Sequence, residues 1–278
     1  MKLIKRVKYL NEIAELIGIP DIKVITGIRR CGKSKIMDAL TELIKESDPS
    51  GNVIHVNYNI TEFENLLEYH ALEDYIESQY ITGENNYVLI DEIQMCEHFE
   101  EAINSIHSKE KYDIYVTGSN AFLQSSDLAT LFVGQTYEIH IMPFSFEVYL
   151  AYFPSEKVND SLTKYITEGG MAGSYLYKNS NQNYRYINDE VLNALVVRDI
   201  IKKYIDYLCK AYAFYRVRRY DIKGKKYLRS EDKFYLSDHS FKYARLGTKN
   251  MDYGHVLENI VAVELIRRGY EIYVVACK

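Results

Sequence analysis

Five short apolar runs recur through the first half of the chain: IKVIT (22–26), VIHVNY (53–58), YVLI (87–90), DIYVTG (113–118) and YEIHIM (137–142). Runs of this length with so little polar alternation fit strands buried on both faces of a parallel sheet. Between them the period changes. Ile36, Met37, Leu40, Leu43 and Ile44 fall on one face of a helix, and Phe99, Ile103 and Ile106 repeat that spacing. The alternation predicts an α/β fold with a βαβ sheet. Pro143 closes the fifth run, and FPSEKVND (153–160) reads as a linker.

A second region starts there. From Tyr184 to about Tyr212 apolar residues keep helical spacing, with Ile187, Val191, Leu195, Ile201, Ile205 and Leu208 among them. A periodic stretch longer than about 25 residues without a cap predicts two helices rather than one. In YRVRRYDIKGKKYLRSEDKFYLSD, two strand-like runs rich in Tyr and Arg flank Lys223 and Gly224, which predicts a β-hairpin. The end, GHVLENIVAVELIRRGYEIYVVACK, predicts a helix, Gly269 at its C-terminal cap, and a strand.

Composition narrows the class. With 278 residues, 47% hydrophobic and 26% charged, the chain can bury one large α/β core and a smaller appendage. No apolar run approaches the roughly 18 residues that span a bilayer. Lys5, Arg6 and Lys8 interrupt the N-terminus before a signal-peptide core could form, so a cytoplasmic protein is expected. Cys31, Cys96, Cys209 and Cys277 show no CxxC pairing, and Cys96-Glu97-His98 is too compressed for metal ligation from one regular element. Net charge is −5, but residues 211–250 hold six lysines and five arginines against four acids, a local +7 that leaves −12 for the remainder. Only that segment attracts a polyanion.

The stretch VITGIRRCGKSKIMDAL carries the chemistry. Gly27, Gly32, Lys33 and Ser34 satisfy GxxxxGK[ST] between an apolar strand and an amphipathic helix. Glycines let backbone N–H groups approach phosphate oxygens, and the helix start adds its positive dipole end. The ATP-binding residues are therefore Gly27, Ile28, Arg29, Arg30, Cys31, Gly32, Lys33, Ser34 and Lys35. Lys33 is expected on the β- and γ-phosphates and the Ser34 hydroxyl on Mg²⁺. In YVLIDEIQ, Asp91 ends a strand where it can hold Mg²⁺ through water, and Glu92 can polarise the attacking water. Ser119 and Asn120 follow another strand, where Asn120 either reaches the γ-phosphate and its water or forms an ordinary loop turn. Arg29 and Arg30 either add charge at the nucleotide or face solvent, and Cys31 is either a packed thiol or a low-pKa one. Arg216, Arg218, Arg219, Lys223, Lys225 and Lys226 alternate with Tyr215 and Tyr220, a mixture that can track DNA or simply be a solvated hairpin.

In order, VITGIRRCGKS, VLIDEIQ, YVTGSNAFL, PFSFEVYL and EGGMAG resemble AAA-type P-loop ATPases that carry a C-terminal restriction-endonuclease-like domain of unknown function. The resemblance runs from Lys5 to about Lys210 and resumes through YRVRRYDIKGKKYL, KFYLSD and GHVLENIVAVELIRRGY. It implies a parallel five-stranded sheet ordered 5-1-4-3-2, a helical lid with a winged-helix element, and a nuclease-like α+β module. Three departures stand out. Gly134-Gln135 replaces the family's GR, removing a candidate charge-stabilising arginine. Further helices expected between Tyr204 and Ile205 are absent. The nuclease-like module is expected to be partial and inactive, since Glu258 matches its helical acid and no acidic residue follows Glu271.

The expected organisation is an ATPase core at 1–152, a helical lid with a partial winged-helix region at 153–212, and a basic hairpin with a truncated module at 213–278. The expected activity is slow Mg²⁺-dependent ATP hydrolysis, with lid movement and DNA as a possible partner. The competing reading is a nucleotide-sensing switch or DNA-binding module without turnover.

Overall fold

The computed structural model describes residues 6–118, 135–153, 158–177, 179–192, 204–221, 226–227, 232–246 and 253–275. They fall into two compact units, Met1–Gly27 with Gly32–Ile141 and Ile28–Cys31 with Met142–Lys278.

The first unit is built on strands β1 (Ile22–Thr26), β2 (Asn52–Asn57), β3 (Asn86–Asp91), β4 (Tyr112–Thr117) and β5 (Thr136–His140). All four pairings are parallel, and the order is β2-β3-β4-β1-β5. Read from the other edge, this is the order that the resemblance implies. Every residue of β3 is buried, and β1 and β4 nearly so, as strands covered on both faces must be. The edge strands β2 and β5 are more exposed.

Helices α1 (Val7–Ala14) and α2 (Lys33–Ser47) pack together, and α2 buries Ile36, Met37, Ala39, Leu40 and Ile44. Helices α3 (Tyr69–Ser78) and α4 (Phe99–Ser108) bury Leu72, Ile76, Ile103 and Ile106 in one cluster with Ile54, Val56, Val88, Ile90, Ile114 and Val116. The apolar periodicities around 36–44 and 99–106 are these buried faces.

One of the buried residues in the sheet is a lysine. The Lys23 side chain is fully enclosed, and its Nζ donates to Asp113 Oδ1 at 2.6 Å and lies 5.2 Å from the Tyr115 ring centroid. A cation without water depends on this partner. Asp113→Asn removes the charge while leaving an acceptor, so stability is expected to fall by about 3 kcal/mol, the low end for breaking a buried pair. A urea midpoint equal to the parent's would contradict this role.

In the second unit, α5 (Phe146–Tyr152) starts on Ser145, whose Oγ accepts the Val148 N–H at 3.2 Å. Helix α6 (Val158–Glu168) begins inside the stretch expected to be a linker, because Ser161, Tyr165 and Ile166 share a buried face and Asp160 suits the first turn; residues 154–157 lie outside the described residues. Helix α7 (Ser180–Tyr186) runs into a π-helical turn at Ile187–Leu192. Helix α8 (Tyr204–Lys210) follows, and the expected break between the two helices lies outside the described residues.

Strands β7 (Arg219–Asp221) and β8 (Lys226–Tyr227) form the expected antiparallel hairpin, with Tyr220 opposite Tyr227. The flanking runs pair separately, β6 (Phe214–Val217) antiparallel with β9 (Lys233–Leu236). After α9 (Ser240–Leu246), α10 (Tyr253–Arg267) ends before Gly269 at φ +81°, and β10 (Val274–Val275) joins β7 in parallel.

The EGGMAG motif has a packing role in this unit. Asp238 is buried and accepts the Gly170 N–H through Oδ2 at 2.5 Å and the Ser240 N–H through Oδ1 at 2.9 Å. A Cβ on Gly170 would run into the Phe144 carbonyl oxygen, so no side chain fits at that position.

Candidate nucleotide site at the end of the parallel sheet

β1 ends at Thr26 and α2 begins at Lys33, so residues 27–32 make the connection. Gly27 (φ +145°) and Gly32 (φ +102°) hold conformations that favour glycine, and Arg30 (φ +67°) is a rare non-glycine case. Gly32 is also the N-cap of α2, and no side chain caps this helix. Its first-turn N–H groups, from Lys33, Ser34 and Lys35, thus keep their donor capacity and the positive end of a 15-residue helix. The Lys33 side chain folds back over the connection, buried, with Nζ donating to the Gly27 carbonyl at 3.0 Å.

The other loop residues divide by exposure. Gly27, Ile28 and Cys31 are buried, Ser34 is half-buried, and Arg29 and Arg30 face solvent. Burial of the Cys31 thiol supports its packing reading over a reactive one. Lys35 is exposed and pairs with Asp38 at 2.7 Å, so only its backbone N–H faces the loop chemistry.

Register carries the acidic residues to the same edge. Ile90 lies opposite Val116, Val116 opposite Val24, and Ile25 opposite Thr117. The next row therefore runs Asp91, Thr117, Ile25. At about 4.8 Å per strand, Asp91 sits about 10 Å across the sheet from Ile25, two residues before Gly27. Asp91 is fully buried; its Oδ1 accepts from the Thr117 hydroxyl, while its Oδ2 has no hydrogen-bond partner among the described residues. Glu92 then takes a left-handed conformation, φ +60° and ψ +46°, that turns the chain off the strand. Its N–H donates to Thr117 Oγ1 at 3.2 Å, and its carboxylate accepts from Gln94 Nε2.

Ser119 and Asn120 lie outside the described residues. Gln135 is described, and its carbonyl accepts the Ile22 N–H at 2.8 Å. It therefore stands at the opposite end of β1 from the loop, four residues or about 13 Å away along the strand. An arginine at this position would therefore stand away from the loop of its own chain.

Two groups here are given no role by the sequence analysis. Thr117 is one. His140, at the end of β5, is the other: its Nδ1 lies 3.3 Å from Thr26 Oγ1, which donates to Glu138 at 2.8 Å. Burial pushes the His140 pKa down to about 4; Glu138 opposes this, and Lys33 and Arg6 reinforce it. The folded value lies below the ordinary 6.5, so as pH falls the unfolded chain takes up the proton first. Stability is expected to drop between about pH 6.5 and pH 4 by up to about 3 kcal/mol from this group. The urea midpoint difference between pH 7 and pH 5 should shrink in His140→Gln, and an undiminished difference contradicts the assignment.

In the basic segment, Arg216 is already paired, with Asp206 at 2.5 Å and Asp232 at 3.5 Å, and Arg218 is exposed. Lys223 and Lys225 lie outside the described residues. Glu258 of α10 accepts from Lys233 Nζ and, at 3.0 Å, from the Tyr235 hydroxyl, and these contacts hold its carboxyl below the usual range.

A parallel sheet in this order, a glycine-containing loop from β1 into α2, and a buried carboxylate ending β3 define a P-loop NTPase domain. Residues 20–150 match the family AAA_14, described as an AAA domain. Over 321 aligned positions the chain is 28% identical to an uncharacterized protein of Haemophilus influenzae, covering 97% of this chain and 80% of that one. The alignment is longer than the 278 residues of this chain, so that relative carries residues absent here. An uncharacterized protein of Methanocaldococcus jannaschii, MJ1544, is 22% identical, with 97% and 72% coverage. The structure of the Aeropyrum pernix Orc1 protein in complex with DNA aligns at 10% identity and a TM-score of 0.40, over 97% of this chain and 95% of that one. A likeness of that size carries no argument about function. Among the described residues, no helix is long and apolar enough to cross a membrane.

Proposed function

We propose that the chain binds ATP with Mg²⁺ at the end of β1 and hydrolyses it. The observation that carries this reading is the uncapped start of α2 with Lys33 folded over the loop, in a sheet whose register brings Asp91 to the same edge. Donors without partners at a helix start suit phosphate oxygens. The Asp91 Oδ2 atom, buried and without a partner, suits a cation or its water.

Ser34 and Asp91 would hold Mg²⁺, which when bound neutralises charge on the β- and γ-phosphates. Lys33 exchanges the Gly27 carbonyl for phosphate oxygens. Glu92 accepts a proton from the attacking water, once its carboxylate is released from Gln94, and Asn120 orients that water. Glu92, directly after Asp91 at the end of β3, favours hydrolysis over a switch without turnover.

Around this site we assign 1–152 to the ATPase core, 153–212 to a lid that moves with nucleotide state, and 213–278 to the hairpin and a partial module. DNA association through 215–226 is the weaker arm of the proposal, because Arg216 is paired with carboxylates. Titrating ATP and Mg²⁺ into the purified chain by calorimetry, then following phosphate release with and without DNA, tests the reading. Absence of nucleotide binding would refute it.

A further inference from the structure

Thr117 lies in YVTGSNAFL, where the sequence gives it no role of its own, yet it touches both acidic residues of the site. It is fully buried at the last position of β4. Its hydroxyl donates to Asp91 Oδ1 and accepts the Glu92 N–H at 3.2 Å. A single oxygen thus fixes the carboxylate of one residue and the backbone of the next, at the point where Glu92 enters its left-handed turn. With Oδ1 held by the hydroxyl, Oδ2 is the atom without a partner among the described residues.

We infer that Thr117 is the positioning residue of this site: it aims Asp91 Oδ2 at the Mg²⁺ water shell and sets the turn that places Glu92. The inference rests on the proposed nucleotide site and deepens it. A valine at 117 would keep the branched shape that suits the strand but could neither donate nor accept. Asp91 would lose its orienting bond, and the Glu92 N–H would lose its acceptor. A serine would restore both contacts. Partners that orient metal-ligating groups typically matter 10- to 100-fold in metal affinity or activity, which sets the scale of the effect.

The experiment measures the affinity of the chain for a fluorescent ATP analogue in EDTA and in saturating Mg²⁺, and takes the ratio. Thr117→Val is expected to bind the analogue in EDTA as the parent does, with the Mg²⁺-dependent gain reduced about 10-fold or more. Thr117→Ser should recover most of the gain, and Asp91→Ala should lose it as Thr117→Val does. A purely structural role predicts instead a loss in EDTA and Mg²⁺ alike, and that outcome overturns the inference. So does a Thr117→Val protein that retains the full Mg²⁺ gain while Asp91→Ala loses it. If the parent binds no better than Lys33→Ala in either condition, the phosphate-loop reading itself fails and this assignment goes with it, an outcome distinct from the other two.

Discussion

Replacing Lys33 by alanine is expected to weaken ATP binding on the order of 10²- to 10³-fold. The lysine is the buried cation of the loop, and its ammonium now satisfies itself on the Gly27 carbonyl 3.0 Å away. Binding exchanges that neutral acceptor for charged oxygens on two phosphates. Charge-assisted bonds contribute about 1.5–3 kcal/mol each, and two of them account for a loss of this size. Arg29 and Arg30 face solvent and Lys35 pairs with Asp38, whereas Lys33 already lies over the loop. Calorimetric titration compares the two proteins directly. Equal affinities would remove Lys33 from the site.

Glu92→Gln should leave that affinity intact and lower turnover by about 10²- to 10⁴-fold, the range for losing a general base. Glutamine keeps the size of the side chain and the left-handed turn but cannot take the proton. Because the Glu92 N–H bond to Thr117 belongs to the backbone, it survives the substitution. A drop in turnover with unchanged nucleotide affinity therefore reports on the carboxylate alone. If turnover persists at the parental rate, the proton goes elsewhere and Glu92 is a turn residue only.

Much of the first unit is legible in the sequence, for a physical reason. Strands covered on both faces carry almost no polar positions, so IKVIT and YVLI stand out against the helical spacing around them. The loop from β1 into α2 is equally plain, since Gly27, Gly32, Lys33 and Ser34 stand at fixed offsets within one short stretch. Thr117 could not be found that way. A threonine ending a strand suits the strand whatever it bonds to, and its partnership with Asp91 exists only through the register of β3 against β4. The place of Gln135 is hidden for a similar reason, because its distance from the loop depends on which end of β5 pairs with which end of β1.

The second unit is less legible because its elements are short and its contacts distant. The apolar runs around 214–236 suggest strands, but not that β6 pairs with β9 while β7 pairs with β8 and β10. The π-helical turn at Ile187–Leu192 leaves no mark in a periodicity that simply continues through it.

The clamp between Asp238 and Gly170 bears on how the protein is made. Its partners are 68 residues apart, and the close approach it secures cannot form until both have left the ribosome. Closing so long a loop delays the contact that the glycine pair needs, whereas the sheet of the first unit is assembled from residues that emerge earlier. Synthesis from N- to C-terminus thus gives the parallel sheet a head start. Until residue 238 arrives, the segment around Gly169 and Gly170 lacks its buried carboxylate, and a chain interrupted before that point would leave helix α6 without the anchor that follows it.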